Sequence, residues 1–194
     1  MKLIFASHNE NKIKEFRELF QSRGIEIISL FDLDDHEEIV ETGTTFQENA
    51  VMKAKTIYAK YKIPTLADDS GLSVMALDGF PGVNSARFMA GSKATDKNLA
   101  LIEKLKPFSD KRAKFIAAIA LVGLDEYPQV FTGETKGLII NEERGKDGFG
   151  YDPIFYVPNL MKTFAELPAE EKNAISHRGR ATSKLLEYID NYVN

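Results

Sequence analysis

Two segments of the chain carry side chains of the kind that hold phosphate oxygens. The first consists of Ser7, His8, Asn9, Glu10, Asn11 and Lys12. Backbone N–H groups at the start of a helix, together with hydroxyl, amide and ammonium groups, suit a phosphate, although an ordinary capped helix has the same pattern. The second is Lys53, which interrupts the apolar face of a predicted helix together with Asn49. Its ammonium must either extend to solvent or meet an anion.

Acidic side chains that could bind a divalent cation stand at two places. Asp68 and Asp69 follow a short apolar stretch and precede Gly71. Neighbouring residues of a strand point to opposite faces, so these carboxylates could share one ion only if the strand ends here, and Gly71 favours such an end. A carboxylate here could hold Mg²⁺, which prefers oxygen ligands, but a plain turn explains the pattern as well. Glu41, just before the second predicted helix, is a further candidate ligand.

Aromatic and basic residues are combined near the C-terminal end of the sequence. Glycines flank Phe149, so the backbone can approach a flat ligand and the ring can stack on it; a ring packed in the core is the alternative. Lys172, His177 and Arg178 supply an ammonium, an imidazole and a guanidinium within seven residues. Such donors suit phosphate or the edge of a base, as well as an ordinary basic segment before a helix. Together, the donors, carboxylates and aromatic ring predict a site for a nucleoside triphosphate.

A mixed α/β fold is predicted to position these residues. Strands are predicted at residues 2–6, 25–31, 65–67, 72–77, 113–124 and 129–140. Helices are predicted from about Asn11, from about Thr45 to Tyr61, from Asp96 to Leu105 and from Arg180 to Tyr192. The second helix begins with capping-box spacing between Thr45 and Glu48. Because β–α units are mixed with a hairpin, a mixed sheet is favoured over a regular parallel one.

Composition excludes several classes of protein. A chain of 194 residues with 43% hydrophobic residues can bury one sizeable core, and residues 1–194 are predicted to form a single domain. The absence of cysteine excludes disulfides and thiolate chemistry and fits a reducing cytoplasm. The longest apolar run, Phe115 to Leu124, is too short to span a bilayer. A net charge of −4 argues against broad adhesion to nucleic acid or to anionic membrane.

The same segments resemble the inosine triphosphate pyrophosphatase family, the Ham1-like pyrophosphatases of non-canonical purine nucleoside triphosphates. The resemblance covers nearly the whole chain. The motifs that carry it are Ser7-x-Asn9-x-x-Lys12, Glu41-Thr42-Gly43, Glu48-Asn49-Ala50-x-x-Lys53-Ala54, Ala67-Asp68-Asp69-Ser70-Gly71-Leu72, Pro81-Gly82-x-x-Ser85-Ala86-Arg87, residues 148–155, Glu171-Lys172 and Ser176-His177-Arg178. Phe88 departs from the family pattern, in which a tyrosine is common.

This resemblance implies an elongated mixed-sheet α/β fold of two lobes with a central active-site cleft, a homodimer, and dependence on Mg²⁺. It implies that the segment from Ser7 to Lys12 and Lys53 hold the triphosphate. Glu41 and Asp69 would bind the metal, and Asp69 would also be the general base. The residues expected to contact the nucleotide are Ser70, Phe149, Gly150, Tyr151, Asp152, Lys172, His177 and Arg178.

The implied reaction is attack of water on the α-phosphorus of ITP, dITP or XTP, with release of pyrophosphate. We expect Asp68 to raise the pKa of Asp69 by repulsion, and a bound Mg²⁺ to lower it. Two alternatives are a Maf-like nucleotide pyrophosphatase, with a related fold and other base preferences, and a nucleotide sensor that does not hydrolyse. The loop around Phe149 argues against the first, and the acidic set of Glu41 and the paired aspartates argues against the second.

Overall fold

The computed structural model describes residues 1–21 and 23–193, and its strands form a seven-stranded mixed sheet of order β2-β1-β3-β4-β5-β6-β7. In chain order the strands are β1 (Lys2–Phe5), β2 (Glu26–Ser29), β3 (Thr65–Val74), β4 (Arg112–Val122), β5 (Gln129–Ile139), β6 (Phe155–Val157) and β7 (Lys162–Thr163). Strand β1 pairs in parallel with β2 and β3, whereas β6 pairs antiparallel with β5 and β7. The predicted mixed-sheet α/β fold is confirmed.

The helices complete the α/β pattern. They are α1 (Glu10–Gln21), α2 (Phe46–Tyr61), α3 (Ala94–Leu105), α4 (Ala169–Ile175) and α5 (His177–Val193). Within the described residues, no helix is long and apolar enough to cross a membrane.

Helix α2 begins where its capping box predicts. The Thr45 hydroxyl accepts a hydrogen bond from the backbone N–H of Glu48, and the Glu48 carboxylate accepts one from the backbone N–H of Thr45, each at 3.1 Å. These bonds satisfy two donors that a helix end would otherwise leave open. At the other end, Lys62 adopts a left-handed conformation with φ of 56° and closes the last turn.

Strand β3 continues through Asp68 and Asp69, where the sequence predicts that a strand ends. Residues 65–74 form one continuous strand, so the predicted strand end after Ala67 and the separate strand at 72–77 are wrong. Gly71 has a different role from ending the strand. A Cβ at Gly71 would lie 2.3 Å from Oγ of Ser85 and 2.6 Å from the carbonyl oxygen of Gly82, so only glycine allows this close approach.

The last helix begins earlier than its sequence predicts. The predicted start at Arg180 is wrong, because α5 already includes His177, and the short helix α4 before it was not predicted. Gly179 lowers helix propensity and so favours a later start. Here it is required by packing, since a Cβ at Gly179 would lie 1.7 Å from the carbonyl oxygen of Asn173.

The chain divides into two compact units. The first consists of Met1–Asp69, Ala117–Thr132 and Ala181–Asn194, and the second of Ser70–Ile116 and Gly133–Arg180. The chain passes from one unit to the other within β3, β4 and β5, and again within α5.

Each unit has its own apolar core. In the first, β1 packs against α1, and the rings of Phe5 and Phe16 stack with their centroids 4.1 Å apart. In the second, Phe115, Phe155 and Phe164 pack together, with centroids 4.6 to 5.6 Å apart. Burial of such large side chains contributes on the order of 2–3 kcal/mol each, so each unit has a rigid support for polar side chains.

Candidate nucleotide site

The segment from Ser7 to Lys12 forms a capped helix start in the first unit. Oδ1 of Asn9 accepts a hydrogen bond from the backbone N–H of Lys12 at 3.1 Å, and Oγ of Ser7 accepts one from the backbone N–H of Asn9 at 3.1 Å. Nζ of Lys12 lies 3.1 Å from Oδ1 of Asp68, whose side chain is fully buried. Capping therefore accounts for Ser7 and Asn9, while Lys12 contributes a cation already paired with a carboxylate.

The remaining residues of this segment point in different directions. Nε2 of His8 lies 2.7 Å from the carbonyl oxygen of Asp35, and its ring contacts the edge of Phe31. Because a carbonyl can only accept, His8 donates through Nε2. Glu10 and Asn11 are exposed, and Glu10 lines a groove along α1 and β2. His8 thus ties the segment to the chain that precedes α2.

Asp69 lies at the centre of a second polar group in the first unit. Its Oδ2 accepts a hydrogen bond from Nδ2 of Asn49 at 2.9 Å. Nζ of Lys53 lies 2.6 Å from Oε1 of Glu41, and their side chains are only 11% and 20% exposed. Lys53 therefore meets an anion rather than extending to solvent. In the sequence, Asn49 and Lys53 share one feature, a polar side chain on an apolar helical face. From the sequence, nevertheless, only Lys53 was assigned to the site.

Burial raises the pKa of Asp69 above its ordinary value. The ammonium of Lys53 and the hydrogen bond from Asn49 act in the opposite direction, and the carboxylate of Glu41 again raises it. Burial is thus the largest cause of the raised pKa, and Glu41 acts in the same direction. On the continuous strand neighbouring side chains point to opposite faces: Asp68 pairs with Lys12, and Asp69 accepts a hydrogen bond from Asn49.

Glu41 and Asp69 offer the oxygen donors that a hard divalent cation takes. Each influences the other electrostatically, since Glu41 shifts the pKa of Asp69. Across residues 1–21 and 23–193, no group of three or more His, Cys, Asp or Glu side chains is arranged to hold a metal ion. Mg²⁺ is commonly bound by one or two carboxylates together with waters and substrate phosphates, so two carboxylates match its usual requirements in a nucleotide site.

The second unit holds the aromatic ring and the basic donors. Nζ of Lys172 lies 4.9 Å from the ring centroid of Phe149, and Cζ of Arg178 lies 5.6 Å from it. The ring is partly exposed rather than packed in the core. Oδ2 of Asp152 accepts hydrogen bonds from Nζ of Lys172 and from the backbone N–H of Phe149, both at 2.8 Å. Lys172, Phe149 and Asp152 therefore form one connected group.

Arg178 and His177 have different surroundings, although they are neighbours in the first turn of α5. Nη2 of Arg178 donates to Oγ of Ser70 at 3.0 Å. The imidazole of His177 is buried and stacks on Phe115, with the centroids 4.7 Å apart and the planes 11° apart. Arg178 thus joins the group around Phe149, whereas the ring of His177 packs against the aromatic core of the unit.

Gly150 and Tyr151 shape the loop that carries Phe149. Gly150 has φ of 62°, in the left-handed region. The hydroxyl of Tyr151 donates to the carbonyl oxygen of Ser85 at 2.9 Å, and burial raises the pKa of Tyr151 to about 12, so this group stays a neutral donor at physiological pH. Tyr151 is therefore an anchor of the loop.

The candidate residues are divided between the two units. The first contains the segment from Ser7 to Lys12, with Glu41, Lys53 and Asp69, and the second contains Ser70 and the remaining nucleotide-contact candidates. The candidate phosphate and metal residues thus belong to one unit, and the aromatic ring with its neighbouring donors to the other.

Comparison with known proteins identifies relatives over almost the full length. The sequence model of the Ham1 family matches residues 3–188. A dITP/XTP pyrophosphatase of Bacillus cereus is 45% identical over 192 residues, which cover 96% of this chain and 94% of the relative. A dITP/XTP pyrophosphatase of Exiguobacterium sp. is 47% identical over 186 residues, covering 95% of each chain.

Solved structures agree with these matches. A HAM1 protein from Coxiella burnetii superimposes with a TM-score of 0.89 and 40% identity, covering 98% of this chain and 99% of the other. The Ham1 protein of Staphylococcus aureus superimposes with a TM-score of 0.87 and 38% identity, covering 98% and 99%.

Proposed function

This chain belongs to the Ham1 family, and from that premise we propose that it hydrolyses non-canonical purine nucleoside triphosphates (dITP, ITP and XTP) to the monophosphate and pyrophosphate. The activity named for its full-length relatives supports this reaction. Neither the Maf-like alternative nor the sensor has support of this kind. Such an enzyme removes deaminated purine nucleotides from the pool before they enter DNA or RNA.

The observation that carries the proposal is the largely buried Lys53–Glu41 pair close to Asp69. Withdrawing charges from water costs several kcal/mol per ion unless partners compensate. A core position filled by apolar side chains would avoid this cost, so charges of both signs held here indicate a charged ligand. A metal–triphosphate complex supplies both signs, with phosphate oxygens for Lys53 and a cation for Glu41 and Asp69.

We assign Mg²⁺ to Glu41 and Asp69 on the chemistry of these two donors. When bound, the ion would neutralise phosphate charge and make water more acidic. Asp69 orients the attacking water and accepts its proton as the α-phosphorus is attacked and the bond to the bridging oxygen of pyrophosphate breaks. Asn49 holds the carboxylate of Asp69 in place through its 2.9 Å hydrogen bond.

Lys12 and Lys53 stabilise the charge that develops on the leaving pyrophosphate, which is most of what phosphoryl transfer requires of a protein. Each lysine is paired with a carboxylate, Lys12 with Asp68 and Lys53 with Glu41. These partners compensate part of the cost of burying the two ammonium groups.

The preference for keto purines follows from the donors around Phe149. Lys172 and Arg178 place their cationic groups over this ring, 4.9 and 5.6 Å from its centroid, so a base bound beside Phe149 would meet hydrogen-bond donors. Both side chains only donate hydrogen bonds. They favour the O6 of hypoxanthine or xanthine over the amino group of adenine. A mispaired buried group costs about 1–3 kcal/mol, which corresponds to a selectivity of roughly tenfold or more.

A product assay tests the proposal. The protein is incubated with Mg²⁺ and ITP, dITP, XTP, GTP, ATP or dTTP, and pyrophosphate and orthophosphate are measured separately. We expect rapid release of pyrophosphate from ITP, dITP and XTP, with no orthophosphate as first product, and loss of activity when EDTA removes the metal. Orthophosphate as first product, or a preference for dTTP, would contradict the proposal.

We also propose that the enzyme works as a homodimer in the cytoplasm, without nucleic acid or membrane as a partner. The homodimer rests on the family resemblance. The net charge of −4 supports a small-molecule substrate over a polyanionic surface.

A further inference from the structure

Asn98 is a polar side chain on the apolar face of α3. It precedes Leu101, Ile102 and Leu105 by three, four and seven residues, the spacing of one helical face. All four side chains are buried, and Asn98 has no exposed surface. A leucine at this position would continue the core without any polar group to satisfy, so the asparagine needs another explanation.

The hydrogen bonds of Asn98 supply that explanation. Its Nδ2 donates to Oε1 of Glu143 at 2.6 Å and to the carbonyl oxygen of Gly150 at 3.1 Å. These two acceptors lie seven residues apart, at the two ends of the glycine-rich segment 143–150, which we call the platform loop. Among the described residues, Oδ1 of Asn98 has no hydrogen-bond partner. The side chain thus leaves one buried acceptor without a hydrogen bond, while its amide nitrogen donates both of its hydrogen bonds to one loop.

The platform loop needs such a restraint. Gly145, Gly148 and Gly150 all have positive φ, from 62° to 88°, and glycine has the greatest backbone freedom to lose on ordering. The middle of the loop is held from the other side, where the backbone N–H groups of Lys146 and Asp147 donate to the carbonyl oxygen of Ala165. Asn98 restrains the loop at Gly150, the residue directly after Phe149, by donating to its carbonyl oxygen.

We propose that Asn98 is a positioning residue for nucleotide binding, which clasps both ends of the platform loop and so holds the ring of Phe149 ready for a purine base. The inference rests on the proposed function for its ligand. It goes beyond that function by assigning a role in base binding to a residue of α3 that lies outside every motif of the family resemblance. An ordered ring binds a base more tightly because less conformational entropy is lost on binding.

Steady-state kinetics with ITP test the role in binding. We expect Asn98→Ala to raise KM roughly five- to tenfold, the effect of about one lost hydrogen-bonded contact, and to leave kcat within about twofold, because Asp69, Lys12 and Lys53 belong to the other unit. The matched control is Leu101→Ala, on the same face of the same helix. It lowers the melting temperature through a cavity but touches no loop acceptor, so we expect KM to stay near that of the wild type.

Glu143 provides a second test that does not depend on the core. Its side chain lies on the surface, so Glu143→Ala removes one of the two acceptors without disturbing folding. We expect a smaller rise in KM than for Asn98→Ala, and no rise for Glu143→Gln, which keeps an Oε1 acceptor. Equal KM values for Glu143→Ala and wild type, or an equal rise for Leu101→Ala and Asn98→Ala, would overturn the proposal.

Fluorescence separates this inference from the proposed function. The chain contains no tryptophan, so Phe149→Trp introduces a single indole at the position of the ring. In the absence of nucleotide, we expect its fluorescence anisotropy to fall when Asn98→Ala is added and to remain unchanged when Leu101→Ala is added. Unchanged anisotropy with Asn98→Ala would refute the clasp. Failure of the protein to release pyrophosphate would refute the proposed function, while the anisotropy would still decide whether Asn98 orders the loop.

Discussion

Asp69 is held in an environment that disfavours its charge. Burial and the nearby carboxylate of Glu41 raise its pKa, although Lys53 and Asn49 counteract them. Since its pKa in the folded state lies above the ordinary value, the ionised form destabilises the fold at neutral pH. A residue that costs stability and lies beside a buried ion pair fits a functional group better than a structural one.

Asp69→Asn is therefore expected to remove turnover while preserving the fold. Loss of the general base should lower kcat for ITP by roughly 10²-fold or more, and the melting temperature should be unchanged or higher, because a buried charge has been removed. The control is Asp78→Asn, an exposed position four residues after the end of the same strand, which should retain wild-type kinetics. Turnover by Asp69→Asn within a few-fold of wild type would exclude Asp69 as the base.

The ionisation of Asp35 makes the free energy of unfolding depend on pH in the acid range. Hydrogen bonds from Lys60 at 2.9 Å and Tyr61 at 2.7 Å lower the pKa of this buried carboxyl from 3.8 to about 2, with Lys60 the larger cause. The ionised carboxylate of Asp35 therefore adds to the free energy of unfolding. This contribution is fully present above the ordinary pKa and is lost as pH falls through about 2.

Asp35→Asn should lower the melting temperature at neutral pH by roughly 2–8 °C. Its free energy of unfolding should then fall less steeply than that of the wild type as pH drops below the ordinary pKa of 3.8. Asp34→Asn is the control, because the Asp34 side chain is 97% exposed. Parallel acid-unfolding curves for wild type and Asp35→Asn, followed by circular dichroism, would contradict this account.

At the scale of elements, α2 carries two of the residues proposed to support phosphate and metal binding. Asn49 and Lys53 lie one turn apart on its buried face, and the capping box at Thr45 fixes where the helix begins. Lys60 and Tyr61 near its end hold the segment that leads to Glu41. The start and end of one helix thus order two of the chain segments that contribute to the site.

Thr45→Ala should destabilise the protein by about 1 kcal/mol, or roughly 2–4 °C in melting temperature, because the backbone N–H of Glu48 loses its acceptor. Thr56→Ala makes the same chemical change in the middle of the same helix, where the hydroxyl only donates back to the carbonyl oxygen of Met52. It should cost less than about 0.5 kcal/mol. Urea unfolding of both variants measures the difference, and equal losses would show that capping does not matter here.

At the scale of the molecule, the two sets of candidate residues belong to different units. Each unit has a core of its own, and the site candidates separate at the peptide bond between Asp69 and Ser70, in the middle of β3.

The proposed homodimer gives a prediction for the whole chain. Light scattering coupled to size exclusion should report about twice the chain mass of 21.8 kDa at micromolar concentration. A mass of 21.8 kDa throughout a dilution series would exclude the homodimer and leave the other assignments unaffected.

Local signals in the sequence predicted a large part of the fold. The capping box at Thr45, the 3.6-residue periodicity of α1 and α2, and the alternation between strands and helices all act over a few residues, and the structure confirms them. The motifs around Lys12, Lys53 and Asp69 likewise identified the family from residue type and spacing alone. These features were accessible because each depends on neighbours within one or two helical turns.

Tertiary structure alone decided which partner each polar group has. Whether Asp68 and Asp69 share an ion or pair separately with Lys12 and Asn49 depends on the continuity of β3. The sequence favours a strand end at Gly71, because its close contact with Ser85 is invisible in sequence. The start of α5 and the clasp at Asn98 were missed for the same reason. Each depends on contacts between groups that are distant in sequence or in separate elements, and such packing outweighs local propensity when the groups are buried.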